Sequence, residues 1–163
     1  MAPESKSRTE PGRAIMRRSH YRFIALLAVV SANAVGADFR VITDNGVVMY
    51  DAPSTRAKKL FVATRNYPVE IISTDGTWVK VRDAAGDLAW VERKQLVERK
   101  TVIVNVPVLD VRQKADEQSP SVFQVAQGVT LDVDPEQGPP GWLRVRHRDG
   151  SSGYVRINQV WGL

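Results

Sequence analysis

Between Gly76 and Leu96 the chain reads GTWVKVRDAAGDLAWVERKQL, and between Gly141 and Val160 it reads GWLRVRHRDGSSGYVRINQV. Trp78-Val79-Lys80-Val81-Arg82 matches Trp142-Leu143-Arg144-Val145-Arg146, Gly86 matches Gly150, Trp90-Val91 matches Tyr154-Val155 and Gln95-Leu96 matches Gln159-Val160. All of these pairs keep one offset, 64 positions (142 − 78). Upstream the offset is 62: Phe61 pairs with Phe123, Ala63 with Val125, Asn66 with Gly128 and Val69-Glu70-Ile71 with Leu131-Asp132-Val133. The extra residues of the second copy fall in EQGPP, Glu136 to Pro140, as a loop insertion would. An internal duplication of about 60 residues requires that whatever one copy folds into, the other folds into as well.

The copies carry the period of strands. Val79 and Val81 alternate with Trp78, Lys80 and Arg82, and Val129, Leu131 and Val133 alternate with Thr130 and Asp132. Val102, Val104, Val106 and Val108 keep one apolar face at the start of the second copy. Turn signals at Asp75-Gly76, Ala85-Gly86 and Asp149-Gly150 separate runs of about five to seven residues. Asn66 and Gly128 both tolerate positive φ and are expected in the same left-handed turn. The only helical expectation past residue 40 is a short turn over Arg93–Leu96. Each copy therefore predicts a small antiparallel barrel, which closes its own edges and suits a unit too small for a large core.

The net charge of +5 invites a nucleic-acid reading, but residues 1–37 hold six basic and two acidic residues, leaving 17 and 16 for the rest. A nearly neutral body makes no case for binding a phosphate backbone. The basic character sits in a leader: Arg17, Arg18 and Arg22, then FIALLAVV (Phe23 to Val30), then the small residues of SANAVGA. That order is the pattern of a secretory signal peptide, with cleavage expected after Ala37 or, alternatively, Ala34. Met16 is a candidate true start. Eight apolar residues are short for a membrane span, so no stable membrane insertion is expected after cleavage. The expected organisation is a signal peptide over 1–37, a first domain over 38–98 and a second over 99–163, periplasmic or secreted. Glu98 to Thr101 leaves little linker, which predicts a semi-rigid pair. The chain contains no cysteine, so no disulfide or thiolate chemistry is available to it.

With the repeat laid out, a family resemblance follows. Leu109-Asp110-Val111-Arg112, Gly128, Gly141-Trp142-Leu143-Arg144-Val145-Arg146, Gly153-Tyr154-Val155 and Val160 resemble the pattern of bacterial SH3 domains. The first copy answers with Val48-Met49-Tyr50-Asp51, Trp78 to Arg82 and Ala89-Trp90-Val91. The resemblance implies an all-β fold of two tandem small SH3-like β-barrels behind the signal peptide. It covers nearly all of 38–163 and is nearest to exported tandem SH3-like proteins of Gram-negative bacteria. VMYDAP also resembles the ALYDY segment of eukaryotic SH3 domains. Carried over, this makes Tyr50 a groove aromatic and Asp51 the start of an acidic loop.

Catalytic constellations are lacking. His147 is the one histidine after the leader, so no second histidine can join it in a triad or metal site. Asp132, Asp134 and Glu136 lack the glycine-pivoted spacing of a calcium loop and read as solvated carboxylates. No phosphate-binding glycine loop or nucleophile elbow occurs. No catalytic residue, metal ligand or cofactor is expected.

Aromatic residues carry what remains. Strand alternation turns Trp78 and Trp90 away from the core valines, as a possible cross-strand pair, with Trp142 and Tyr154 equivalent. Tyr50, Asp51, Trp78, Trp90, Trp142 and Tyr154 are therefore the candidate ligand-binding residues. The alternative is that these rings pack on loops or on the sister domain. The family resemblance implies an exported, non-catalytic module binding peptidoglycan peptides or another extended peptide. A structural or assembly protein making protein–protein contacts in the periplasm is the alternative.

Overall fold

A computed structural model describes residues 36–136 and 138–163; the leader reading falls outside them. The first half runs through β1 (Phe39–Ile42), β2 (Val47–Tyr50), β3 (Lys59–Ala63), β4 (Pro68–Asp75), β5 (Trp78–Arg82), β6 (Leu88–Glu92) and β7 (Leu96–Val97). The second repeats it with β8 (Thr101–Val104), β9 (Val108–Arg112), β10 (Ser121–Ala126), β11 (Thr130–Val133), β12 (Trp142–Arg146), β13 (Ser152–Arg156) and β14 (Val160–Trp161). A single 3-10 turn precedes the last strand of each half, Arg93–Gln95 and Ile157–Gln159. The strand orders are β3-β2-β6-β5-β4-β1-β7 and β10-β9-β13-β12-β11-β8-β14, the same arrangement twice. The pairings are antiparallel throughout the described residues. The all-β tandem fold expected from the duplication is the fold observed.

Each sheet curls around its own core, because residues from nearly every strand meet in one cluster. In the first, Ile42, Val47, Met49, Val69, Val79, Val81 and Val91 pack together. In the second, Val102, Val104, Leu109, Val111, Leu131, Val145 and Val155 do the same. Burial alternates along β5 and β6, so Val79, Val81 and Val91 face inward while Trp78, Lys80 and Trp90 face out. The left-handed turn expected at Asn66 and Gly128 is present, at φ 68° and 82°. The register slips by one residue between β2 and β3 at Leu60, and between β9 and β10 at the equivalent Val122. Even the bulges are duplicated.

The halves meet through the outward faces of β1 and β8. All four residues of β8 are buried, although only Val102 and Val104 belong to its own core. The Thr101 hydroxyl donates to the Asn66 carbonyl oxygen across the junction at 2.9 Å. Phe39 and Trp161 meet edge to face with centroids 5.0 Å apart. Gly162, at φ 121°, lies so close that a Cβ there would come within 2.7 Å of the Thr101 oxygen and 3.1 Å of Pro68.

Candidate functional site

The outer faces of β2, β5 and β6 carry the chemistry of the first barrel. Tyr50 pairs in register with Trp90, Lys80 with Trp90 across the other side, and Trp78 with Glu92. Tyr50 lies beside the bulge in the β2–β3 ladder and sets its ring edge to face with Trp78, centroids 5.6 Å apart at 88°. The Lys80 ammonium stands 6.0 Å from the centre of the Trp90 ring. All three rings are half-buried. Beside them opens a cleft of about 290 Å³, walled by Asp44, Val48, Tyr50, Glu92 and Gln95 among others. The Glu92 carboxylate forms an ion pair with Lys94 at 2.9 Å, and Asp44 one with Arg65 at 3.0 Å.

The second barrel has a cleft of about 310 Å³ in the corresponding place, walled by Asp110, Arg112, Trp142, Arg156 and Gln159 among others. Its chemistry differs. The Arg156 guanidinium lies 4.4 Å over the Trp142 ring. The same group donates to the Glu117 carboxylate at 2.5 Å. Arg112, in register with Tyr154, donates to the Ser119 carbonyl oxygen at 2.8 Å.

Three expectations need correction. Trp78 and Trp90 are not direct cross-strand partners; each lies diagonal to the other because Glu92 and Lys80 stand opposite them. Trp142 is not an exposed platform: only 8% of it is accessible, against the half-buried Trp78. The Arg156 guanidinium lies over the ring, and the longer loop brings Gly138 against the Trp142 backbone and Cβ. Asp132 and Asp134 are not simply solvated. Asp132 pairs with Arg99 at 2.9 Å, and Asp134, its side chain 9% exposed, lies between Arg144 and Arg146.

Asp51 does not line the first cleft. Its carboxylate accepts the Lys58 backbone N–H at 3.0 Å, bracing the loop between β2 and β3. Tyr154 is half-buried on the second barrel's outer face, opposite Arg144. The residues that sequence reasoning missed are Glu92, Arg112, Glu117 and Arg156. One signal was legible: at the offset of 64, Glu92 aligns with Arg156, a reversal of charge within an otherwise parallel repeat.

His147 places Nδ1 3.0 Å from the Asp149 carboxylate, and its ring tilts against Phe123. The Ser151 backbone N–H, and then His147, hold the Asp149 carboxyl below the usual carboxylate range. Burial pushes the Tyr67 phenol above its ordinary value, partly offset by the Ala84 backbone N–H that it accepts. Among the described residues, no cluster of three or more histidine, cysteine, aspartate or glutamate side chains is arranged to hold a metal ion. No helix among them is long and apolar enough to cross a membrane.

A family model described as bacterial SH3 domain matches the chain twice, over residues 43–98 and 105–162. Comparison with curated proteins finds no match. Among solved structures, the chain is similar to NlpC1 from Trichomonas vaginalis at 16% identity and a TM-score of 0.36, covering 80% of this chain and 47% of that one. It is similar to NlpC2 from Trichomonas vaginalis at 15% identity and a TM-score of 0.35, covering 77% and 48%. A third is an NlpC/P60 family protein from Bacillus cereus, at 17% identity and a TM-score of 0.35, covering 76% and 56%. The chain spans about half the length of these structures.

Proposed function

The chain belongs to the bacterial SH3 domain family, twice over, and from that premise we propose that it is an exported, non-catalytic binding module of the cell envelope. Its ligand is an extended peptide, with the peptidoglycan stem peptide as the leading candidate, and its binding surface is the cleft of the first barrel. The observation that carries this reading is the meeting of Tyr50, Trp78 and Glu92 on one outer face. Aromatic rings beside a carboxylate offer contact area together with a directional polar anchor, which is what a small site needs to hold a peptide.

Export rests on the leader, with cleavage near Ala37 and a periplasmic or secreted destination. Cell fractionation followed by N-terminal sequencing tests it; a full-length cytoplasmic product as the dominant species refutes it. The function is tested by co-sedimentation with purified peptidoglycan. Retention in the pellet, lost in Trp78→Ala at unchanged circular dichroism, is the expected result, and a chain that stays in the supernatant overturns the reading. A specific observation favours the alternative of an assembly protein. The edge strands β3 and β10 expose Val62 (67%) and Val122 (50%), which suit contact with another protein. A defined envelope protein recovered by pull-down, together with no peptidoglycan binding, would select it.

A further inference from the structure

The duplication supplies an internal comparison of the two clefts. The loop after β2 and the loop after β9 are the same structure. Asp51 N–H donates to the Lys58 oxygen and Gln113 N–H to the Pro120 oxygen; Ala57 N–H donates to the Ser54 oxygen and Ser119 N–H to the Asp116 oxygen. All of these pairs keep the offset of 62. The cleft walls can therefore be compared residue by residue. Gln95 and Gln159 are unchanged, while Tyr50 becomes Arg112 and Glu92 becomes Arg156.

In the second barrel, β13 lays its own cation on the tryptophan of the neighbouring strand and ties it down with a carboxylate, Glu117. The position equivalent to Glu117 in the first barrel is Thr55. There the tryptophan is present as Trp78, and the residue opposite it is a carboxylate, Glu92, instead of an arginine. The first cleft thus has an acid, Glu92, where the second barrel has its cation, and the Trp78 ring borders that cleft through Tyr50 instead of forming its wall. The second cleft contains ring, cation and acid in its own wall.

On the reading that the first cleft is the ligand site, we infer that it takes a cationic side chain of an extended peptide. A lysine-type ammonium or an arginine-type guanidinium sits against Glu92 and the Tyr50–Trp78 pair, in the role that Arg156 plays in the second barrel. That barrel is occupied by its own arginine and does not compete. Lys94 is the present partner of Glu92, but its side chain is 71% exposed. An exposed ion pair of this kind is weak and exchanges readily for a ligand cation that also gains ring contact. Lys80 sits over Trp90, so the ring left for the ligand is on the Tyr50–Trp78 side.

Calorimetric titration of the full chain tests this with three peptides, acetyl-Ala-Lys-Ala-amide and its arginine and norleucine counterparts. The lysine and arginine arms separate the two cations, and the norleucine arm keeps length and apolar area while removing charge. The cationic peptides are expected to bind at one site, with norleucine about tenfold weaker or worse, as a charge-assisted hydrogen bond requires. Glu92→Gln should weaken the cationic peptides about tenfold and leave norleucine unchanged. Glu92→Arg, which copies the second barrel's arrangement into the first, should abolish binding at an unaltered melting temperature. Equal affinity for the charged and norleucine peptides, or no effect of Glu92→Gln, overturns the inference. If Glu92→Gln still sediments fully with peptidoglycan, the cation-specific reading falls and the envelope-binding function stands. If wild type binds neither peptide nor peptidoglycan, both fall.

Discussion

Trp142→Ala and Trp78→Ala remove the same side chain from equivalent register positions, yet the structure assigns them different costs. Trp142 is 8% exposed, lies under the Arg156 guanidinium and has the loop that carries Gly138 against its backbone and Cβ. Truncation there leaves a cavity and strands a cation that had stacked on the ring, so a loss of about 3–5 kcal/mol is expected. At roughly 0.05–0.15 kcal/mol per residue, a barrel of about 60 residues has roughly 3–9 kcal/mol in all. Trp142→Ala should therefore leave the second barrel partly or wholly unfolded at room temperature. Trp78 is more exposed on the outer face, so its truncation removes less contact, roughly 2 kcal/mol. For a unit of this size that is a fall of about 8–16 °C in melting temperature with the fold retained. Its larger effect belongs to ligand binding, where a ring of this kind contributes more than about 1 kcal/mol. Far-ultraviolet circular dichroism melts of the two variants, run with urea titrations, measure both numbers. Equal destabilisation by the two substitutions would refute the reasoning, because the difference in cover between the copies would then have no energetic consequence.

Gly153→Ala should destabilise the second barrel by about 1–3 kcal/mol, because a Cβ there would stand 2.5 Å from the Arg112 carbonyl oxygen and 2.8 Å from Val111 Cγ1. The equivalent position of the first barrel is already Ala89, so Ala89→Gly should cost only about 1 kcal/mol; urea midpoints compare the pair. Tyr67 is expected to ionise above the usual tyrosine value, since burial favours its neutral form. A raised folded-state value means that its contribution to stability is complete at neutral pH and is lost as pH rises through that value. Ultraviolet phenolate titration should show a late-ionising component that disappears in Tyr67→Phe.

What the sequence disclosed, and what it withheld, divides along physical lines. Period-two burial at Val79, Val81 and Val91 is a local property of an extended chain with one wet face, so it could be read directly. The left-handed turns at Asn66 and Gly128 were legible because few residue types tolerate positive φ. The burial of Trp142 was not legible. The ring lies under Arg156, fourteen positions away on another strand, a placement that alternation along one strand does not reveal. The direct Trp78–Trp90 pair failed for a related reason. Alternation fixes which face a side chain takes, but pairing also needs register, and the register set Glu92 and Lys80 opposite the two rings. The exchange of Glu92 for Arg156 lay in plain view in the alignment. Its meaning emerged only once both residues were seen across from a tryptophan on a neighbouring strand.

Why the barrels come as a pair has an energetic side as well as a functional one. A unit of about 60 residues buries only about 60% of the surface its unfolded chain exposes and has little stability to spare, and this chain has no cysteine with which to staple it. The strand faces at the junction contribute what the separate cores lack. Val41 is 1% exposed and Ile103 6%, though neither belongs to the core cluster of its own sheet. By strand alternation Val41 shares a face with Phe39, and Ile103 shares one with Thr101, the two residues that reach across the junction to Trp161 and to the Asn66 carbonyl. Separating the halves would expose these side chains to water and exchange the Thr101–Asn66 hydrogen bond for bonds to water, so the loss is chiefly of apolar burial. The junction is a third small core, shared by both sheets. It holds in one body a cleft whose acid, Glu92, has only an exposed lysine as partner and a cleft whose tryptophan is covered by its own arginine.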